Sequence, residues 1–409
     1  MSPLRFGWAS NALFSILVIC AMLGWRERSY EMISPVNMSL IGLRQHLPHE
    51  KLNWLTSVVR FSSASSRPFS FMERQKRLYL RYKKGGAPMC TGIFYRGIHP
   101  YFGRNLDYEF SYGESVVLLP RNHPISFRHV QGLKRHYAIL GMAHLAGDTP
   151  LYYDAMNEAG LAIAGLNFVG NARYYPLQQG RENVASFELI PYLLGQARTV
   201  DDVLRLLAVM NVSDDRFSEE LPASELHWIV ADKTRCIVIE TLETGMRVHE
   251  NMACVLTNNP PFEHQMLRLS DFAALSPKNP SLGFGTNIPF QSYSRGMGAI
   301  GLPGDLSSSS RFVRAAWVNA NAPKDGDLTE FFHLLTAVEQ QKGCCEVAPG
   351  KYEYTIYSSC CDLEEKSYSY VTYGNRQITK VKMDDPSLEQ SHLLVYPLVE
   401  GEHILEARP

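Results

Sequence analysis

The 409-residue sequence contains no C-x-x-C pair among its eight cysteines, Cys20, Cys90, Cys236, Cys254, Cys344, Cys345, Cys360 and Cys361. That absence removes the cysteine-based zinc modules, and no metal site or cofactor is expected. The neighbours Cys344–Cys345 and Cys360–Cys361 admit a disulfide reading. In a chain this long without a cysteine-dense framework, they are expected to stay reduced, as in a cytosolic enzyme. The apolar run Ala12–Leu23 is too short for a membrane span. It has the length of a signal-peptide core, but Gly24 is followed by Trp25 and two nearby arginines, a poor cleavage site. A strong excess of either charge is also missing. With 20% charged residues, 45% hydrophobic residues and a net charge of −1, the composition is that of a globular protein and not of a nucleic-acid binder.

The near-neutral total hides an asymmetry. Residues 1–88 hold 13 Lys+Arg against 4 Glu and no Asp, so the remainder is acidic. Residues 30–84 show no sustained helical or strand period, and Ser62–Ser66 is Ser-rich. Two parts of opposite composition therefore meet near Met89. Lys84-Gly85-Gly86 can be encoded by AAA-GGA-GGN, which contains a bacterial ribosome-binding sequence suitably placed before the Met89 codon. The expectation is that 1–88 is upstream sequence translated in error, or a removed segment, and that 89–409 forms one catalytic domain. Retention of 1–88 would instead give a membrane-tethered, non-catalytic binding protein.

From Met89 the sequence reads Met-Cys-Thr-Gly-Ile, then Gly103-Arg104-Asn105-Leu106-Asp107. A lone cysteine in an apolar run is ordinarily a small buried hydrophobe. Removal of Met89, which a small second residue permits, would give Cys90 both a thiol and an α-amine. These titrate near about 8.5 and about 7.7–8.0, so one residue could supply nucleophile and base.

With these motifs the sequence resembles the choloylglycine hydrolase family of N-terminal-nucleophile hydrolases, above all its bile salt hydrolases. Met89-Cys90-Thr91 matches the family's opening, and Gly103–Asp107 matches its Gly-Arg-Asn-x-Asp segment. Met156–Phe168 places an asparagine at Asn167, Val255–Asn258 places another at Asn258, and Gly301–Phe312 places an arginine at Arg311. The stretch from Cys90 to Arg104 is about two residues shorter than the family pattern, a shortening that Gly97 and Pro100 tolerate at a hairpin tip.

The resemblance implies catalytic roles for Cys90, Arg104, Asp107, Asn167, Asn258 and Arg311. The residue types suit them. Arg104 favours a thiolate, and Asp107 can accept from the α-amine. Asn258 can donate to an oxyanion, with a backbone N–H near Asn167 as the second donor, and Arg311 adds a fixed cation. Leu106 and Phe168 flank these positions as candidate sterol contacts, although core packing is their ordinary role. His227, inside an apolar run, reads as a core histidine and not as a base.

The strand-like runs are Thr91–Tyr95, Glu114–Leu119, Tyr137–Gly141, Leu161–Leu166, Leu226–Ala231, Cys236–Thr241 and Ala253–Thr257. Helical patterns cover Phe187–Ala197, Asp201–Met210 after the capping box at Thr199–Asp202, Phe262–Ala274, Phe312–Asn319 and Leu328–Gln340. This α+β pattern agrees with the four-layer αββα sandwich that the resemblance implies. The resemblance also implies a small-molecule substrate (a glycine- or taurine-conjugated bile salt) and a homotetramer, and a cytoplasmic location is expected. Penicillin V or an acyl homoserine lactone is the alternative substrate, but Asn167 stands where penicillin acylases carry tyrosine.

Overall fold

The computed structural model describes residues 89–219, 221–281 and 288–408. The Ala12–Leu23 run and the rest of 1–88 lie outside them. Two antiparallel sheets organise the described chain. The first runs β12 (Val255–Leu256), β1 (Cys90–Arg96), β2 (Pro100–Tyr108), β15 (Tyr354–Asp362), β16 (Ser367–Thr372) and β17 (Asn375–Lys382). The second runs β11 (Gly245–Glu250), β10 (Cys236–Leu242), β9 (Leu226–Ala231), β6 (Ala162–Asn167), β5 (Thr149–Asn157), β4 (Ile139–Ala146), β3 (Ser115–Leu119) and β18 (Leu394–Pro397). Two short pairs, β7 (Glu182–Ala185) with β8 (Met210–Ser213) and β13 (Glu346–Ala348) with β14 (Lys351–Tyr352), lie beside them.

Each sheet meets the other on one face and helices on the other. The two sheets touch through β1, β2 and β6 and through β16 and β4. Helices α1 (Leu189–Gln196) and α2 (Val200–Val209) share an apolar cluster with the second sheet. Leu189, Ile190, Leu193 and Leu194 are buried there, at roughly 1.5–3 kcal/mol for each large side chain. Helix α3 (Phe262–Leu269) leads to α4 (Ser308–Asn321) and α5 (Leu328–Thr336), which cover the first sheet, and α6 (Asp385–Leu388) closes the set. The layers are those of the expected αββα sandwich.

Local signals explain several boundaries. Thr199 and Asp202 form the reciprocal capping box that starts α2. Helix α4 begins at Ser308, four residues before the apolar pattern, because Ser307 accepts from Ser310 N and caps it. The β1–β2 hairpin turns over Gly97–His99, with Arg96 opposite Pro100 and Cys90 opposite Leu106. A side chain at Gly97 would meet Gly326 O at 2.1 Å, so only glycine fits this tip. Strand alternation then divides β2. Arg104, Leu106 and Tyr108 face the second sheet, while Asn105 and Asp107 bond to the segment at and beyond the end of α5.

Candidate active site

Cys90 opens β1 and is fully buried. Its Sγ accepts a hydrogen bond from Arg104 Nη2. The opposite arm of the guanidinium is fixed by Gly165 O at 2.6 Å and Tyr153 O at 3.3 Å, both from the second sheet. Burial pushes the Cys90 thiol up, and the Arg104 charge pulls it back only in part. The arginine acts in the direction expected from the sequence, but burial outweighs it in this form of the chain. Asp154, also buried, accepts from Tyr357, Tyr368 and Ser359 at 2.7–2.8 Å and adds negative charge near Arg104.

Asn258 follows β12, held by its backbone N–H to Ser308 Oγ at 2.9 Å. Its Oδ1 accepts from Cys90 N at 2.8 Å and Arg311 Nη2 at 2.9 Å, while Nδ2 donates to Asn167 O at 2.8 Å. Two donors on one side fix the amide with nitrogen toward Asn167. Arg311, from α4, is buried and donates through Nη1 to Cys90 O and Thr91 Oγ1, both at 2.6 Å. It therefore clamps the start of β1 to Asn258.

Asp107, read from the sequence as the acceptor for a free α-amine, is held here by side chains around it. Its carboxylate accepts from Thr355 Oγ1 at 2.6 Å and Gln340 Nε2 at 3.1 Å, and lies 3.9 Å from Arg311 Nη1. Cys90 N does not bond to it here. That nitrogen is a peptide nitrogen with one hydrogen, and Asn258 takes it. Burial raises the Asp107 carboxyl, opposed by Arg311 and by its two hydrogen-bond donors.

A cleft of about 500 Å³ reaches the Arg104 and Asn167 end of this cluster, a size typical of small-molecule sites. Leu106, Leu151, Val169, Phe187, Ile190 and Phe217 supply much of its apolar wall. Leu106 thus lines the cleft. Phe168 does not line the cleft. It is fully buried and stacks on His227, with ring centroids 4.2 Å apart and planes within 7°. Its side chain points to the opposite side from its neighbours Asn167 and Val169, and it serves the core. His227 is a core residue too, bonded to Glu240 Oε1 at 3.1 Å and Thr257 O at 2.8 Å.

Sequence reasoning missed Gln340, Thr355 and Glu353, which sit around Asp107 and Met89, and most of the cleft wall. The only sequence signal for the first group was a Glu-Tyr-Thr triplet at the start of an uncalled strand. The wall residues are scattered over β2, β5, α1 and three connections, with no shared motif.

Residues 90–396 match the sequence pattern of the linear amide C–N hydrolases of the choloylglycine hydrolase family. The chain is similar to the bile salt hydrolase/transferase of Lactiplantibacillus plantarum, 50% identical over 314 residues that cover 76% of this chain and 97% of that protein. The protein of the same description from Clostridium perfringens is 34% identical over 319 residues, covering 75% and 96%. Among solved structures, a mutant of the conjugated bile acid hydrolase of C. perfringens aligns with a TM-score of 0.74 at 32% identity, over 78% of this chain and all of that one. A penicillin V acylase from Agrobacterium tumefaciens, 19% identical, shares the fold with a TM-score of 0.59 over 75% of this chain and 90% of that one. On the family match and these identities, the chain belongs to the choloylglycine hydrolase family of linear amide C–N hydrolases.

Proposed function

We propose that this protein is a bile salt hydrolase, cleaving the amide of glycine- or taurine-conjugated bile acids through Cys90 once its nitrogen is free. The observation that carries the reading is the Cys90 thiol, bonded to Arg104, which itself lines an apolar cleft, with the Cys90 nitrogen bonded to Asn258. The α-amine takes the thiol proton, and the sulfur attacks the amide carbonyl. Asn258 Nδ2, with a backbone N–H near Asn167, donates to the oxyanion. The amine then protonates the leaving nitrogen, glycine or taurine departs, and a thioester remains. Water attacks it, regenerating the thiol and releasing the bile acid. Arg104 holds the sulfur, Arg311 orients Asn258, and Asp107 is the carboxylate that a free amine could reach once Met89 is gone. The apolar wall, with Leu106 in it, would take the steroid.

This reading requires an enzyme whose first residue is Cys90, with 1–88 and Met89 removed or never made. Intact-mass measurement beside turnover of glycocholate, taurocholate and penicillin V tests it. The expected result is an N-terminus at Cys90 and conjugated bile salts turned over faster than penicillin V. Preferential turnover of penicillin V would replace this reading with an acylase. Full activity in a protein that retains 1–88 would defeat the N-terminal-nucleophile mechanism. We extend the reading to a cytoplasmic homotetramer, checked by light scattering and cell fractionation. No helix among the described residues is long and apolar enough to cross a membrane.

A further inference from the structure

Glu353 precedes β15 and is almost fully buried, 1% exposed, yet the reaction just described does not use it. Its Oε1 accepts from Met89 N at 3.0 Å. Gln340, fully buried, donates through one Nε2 to both Glu353 Oε1 at 3.3 Å and Asp107 Oδ2 at 3.1 Å. With both partners being carboxylates, the amide orientation is fixed, and Gln340 Oε1 is left as a buried acceptor with no partner. The backbone N–H of Asp107 meanwhile donates to Met89 O at 3.0 Å. The Glu353 carboxylate and the Asp107 backbone therefore hold the one residue that must leave before Cys90 can act, and Gln340 joins that carboxylate to the one of Asp107.

Burying two carboxylates this close is costly without a compensating cation. Arg311 faces Asp107, but only part of the charge is met. The Glu353 carboxyl is pushed up to about 8, by burial first and by Asp107 next, against the pull of Arg311. An ammonium at the head of β1 would supply the missing positive charge. As a peptide nitrogen, Cys90 N carries one hydrogen, which Asn258 Oδ1 receives. Loss of Met89 gives it further hydrogens and clears the space occupied by Met89 N, one residue away and in contact with Glu353.

We infer that Glu353 is a positioning residue of the hydrolase: together with Asp107, and through Gln340, it forms an acidic clamp that receives the α-amine of Cys90 after Met89 is removed. Contact is direct or through one water in the place of Met89 N. The inference rests on the N-terminal-nucleophile reading above. The charged and titratable groups facing the clamp are Arg104 from β2, Arg311 from α4, the Cys90 thiol from β1, Glu109 just past β2, and the Cys345 thiol, whose backbone oxygen accepts from Glu353 N at 2.8 Å. Glu353 itself can be neutralised without removing a bond to the thiol or to the oxyanion asparagine.

The test uses enzyme whose N-terminus is verified as Cys90. Its α-amine is titrated by NMR after labelling with 13C-cysteine, and kcat/KM for taurocholate is followed across pH. A negative neighbour stabilises the ammonium, so E353Q should lower the amine pKa by about half a unit or more. The acid limb of kcat/KM should move down by the same amount, with KM changed less than about twofold. A merely structural Glu353 would depress kcat at every pH and leave the amine pKa in place, which overturns the clamp. If E353Q fails to fold, wild-type enzyme labelled with 13C-glutamate decides the matter. The Glu353 carboxyl should then titrate in two steps, one coinciding with the amine, and a single step at another pH overturns the proposal. A shifted amine in an enzyme that does not turn over taurocholate would support the clamp while removing the bile salt reading.

Discussion

Replacing Asn258 by alanine removes an amide that meets three buried groups, and the structure separates what each loss should do. Without Oδ1, Cys90 N and Arg311 Nη2 lose their acceptor. Each buried donor left unpaired costs about 1–3 kcal/mol, and Arg311 keeps its bonds to Cys90 O, Thr91 Oγ1 and Leu306 O. A stability loss of about 2–4 kcal/mol follows, seen as a fall in Tm of about 5 °C or more. Without Nδ2 the oxyanion loses a donor, about 3–4 kcal/mol of barrier, so kcat should fall about 100- to 1,000-fold with little change in KM. Asn258→Asp distinguishes the two effects. It keeps acceptors for Cys90 N and Arg311 but offers no N–H to the oxyanion. Its Tm should therefore lie closer to wild type while its kcat falls at least as far as that of alanine. Steady-state taurocholate hydrolysis and thermal unfolding of both variants provide the check. An active Asn258→Asp, or an alanine variant with raised KM and unchanged kcat, would refute the oxyanion role.

Cys90→Ser should fold normally and lose nearly all hydrolysis, since a hydroxyl is a far weaker nucleophile than a thiolate; wild-type turnover would remove Cys90 as nucleophile. Phe168→Ala should destabilise by about 3–5 kcal/mol in denaturant unfolding, because the ring is buried against His227. Leu106→Ala, in the cleft wall, should instead act mainly on KM for bile salts, and the reverse pattern would exchange the two roles. An added amine should compete with water for the thioester and yield new bile acid amides, detected by mass spectrometry with taurocholate and excess amino acid. No exchange product at about 0.1 M amine would mean that the acyl intermediate is closed to amines.

The strands that could be read in advance are those whose side chains obey the pleat's ordinary chemistry. Leu226–Ala231 and Cys236–Leu242 are apolar runs, and they form β9 and β10 where the pattern puts them. Strand β2 escaped because Pro100, Gly103, Arg104, Asn105 and Asp107 are residue types that strands disfavour. They are tolerated there because each buried polar group finds a partner on another layer or on the neighbouring strand: Gly165 O for Arg104, Leu335 O for Asn105, Thr355 of β15 for Asp107. Strand β15 escaped for a related reason: its Ser358-Ser359-Cys360-Cys361 segment lacks the bulky apolar residues of an ordinary strand, and Ser358 and Ser359 bond to Asn105 and Asp154. The resemblance to the family's motifs made Cys90, Arg104, Asn258 and Arg311 visible. It carried no information on Gln340 or Glu353, whose proximity to Met89 arises only when β15 lies beside β2.

Part of the cleft wall comes from connections outside the strands that carry the thiol and its arginine. Cys90 and Arg104 stand in the paired strands β1 and β2, whereas Phe217 and Leu221–Glu225 reach the cleft from the connection between β8 and β9, and Tyr112 from the one between β2 and β3. Such connections accept substitution and changes of length far more readily than paired strands do. Substrate range can therefore drift over generations while the bond-breaking apparatus stands still. For an engineer, the 214–225 connection is the natural place to graft a new appetite onto an old enzyme.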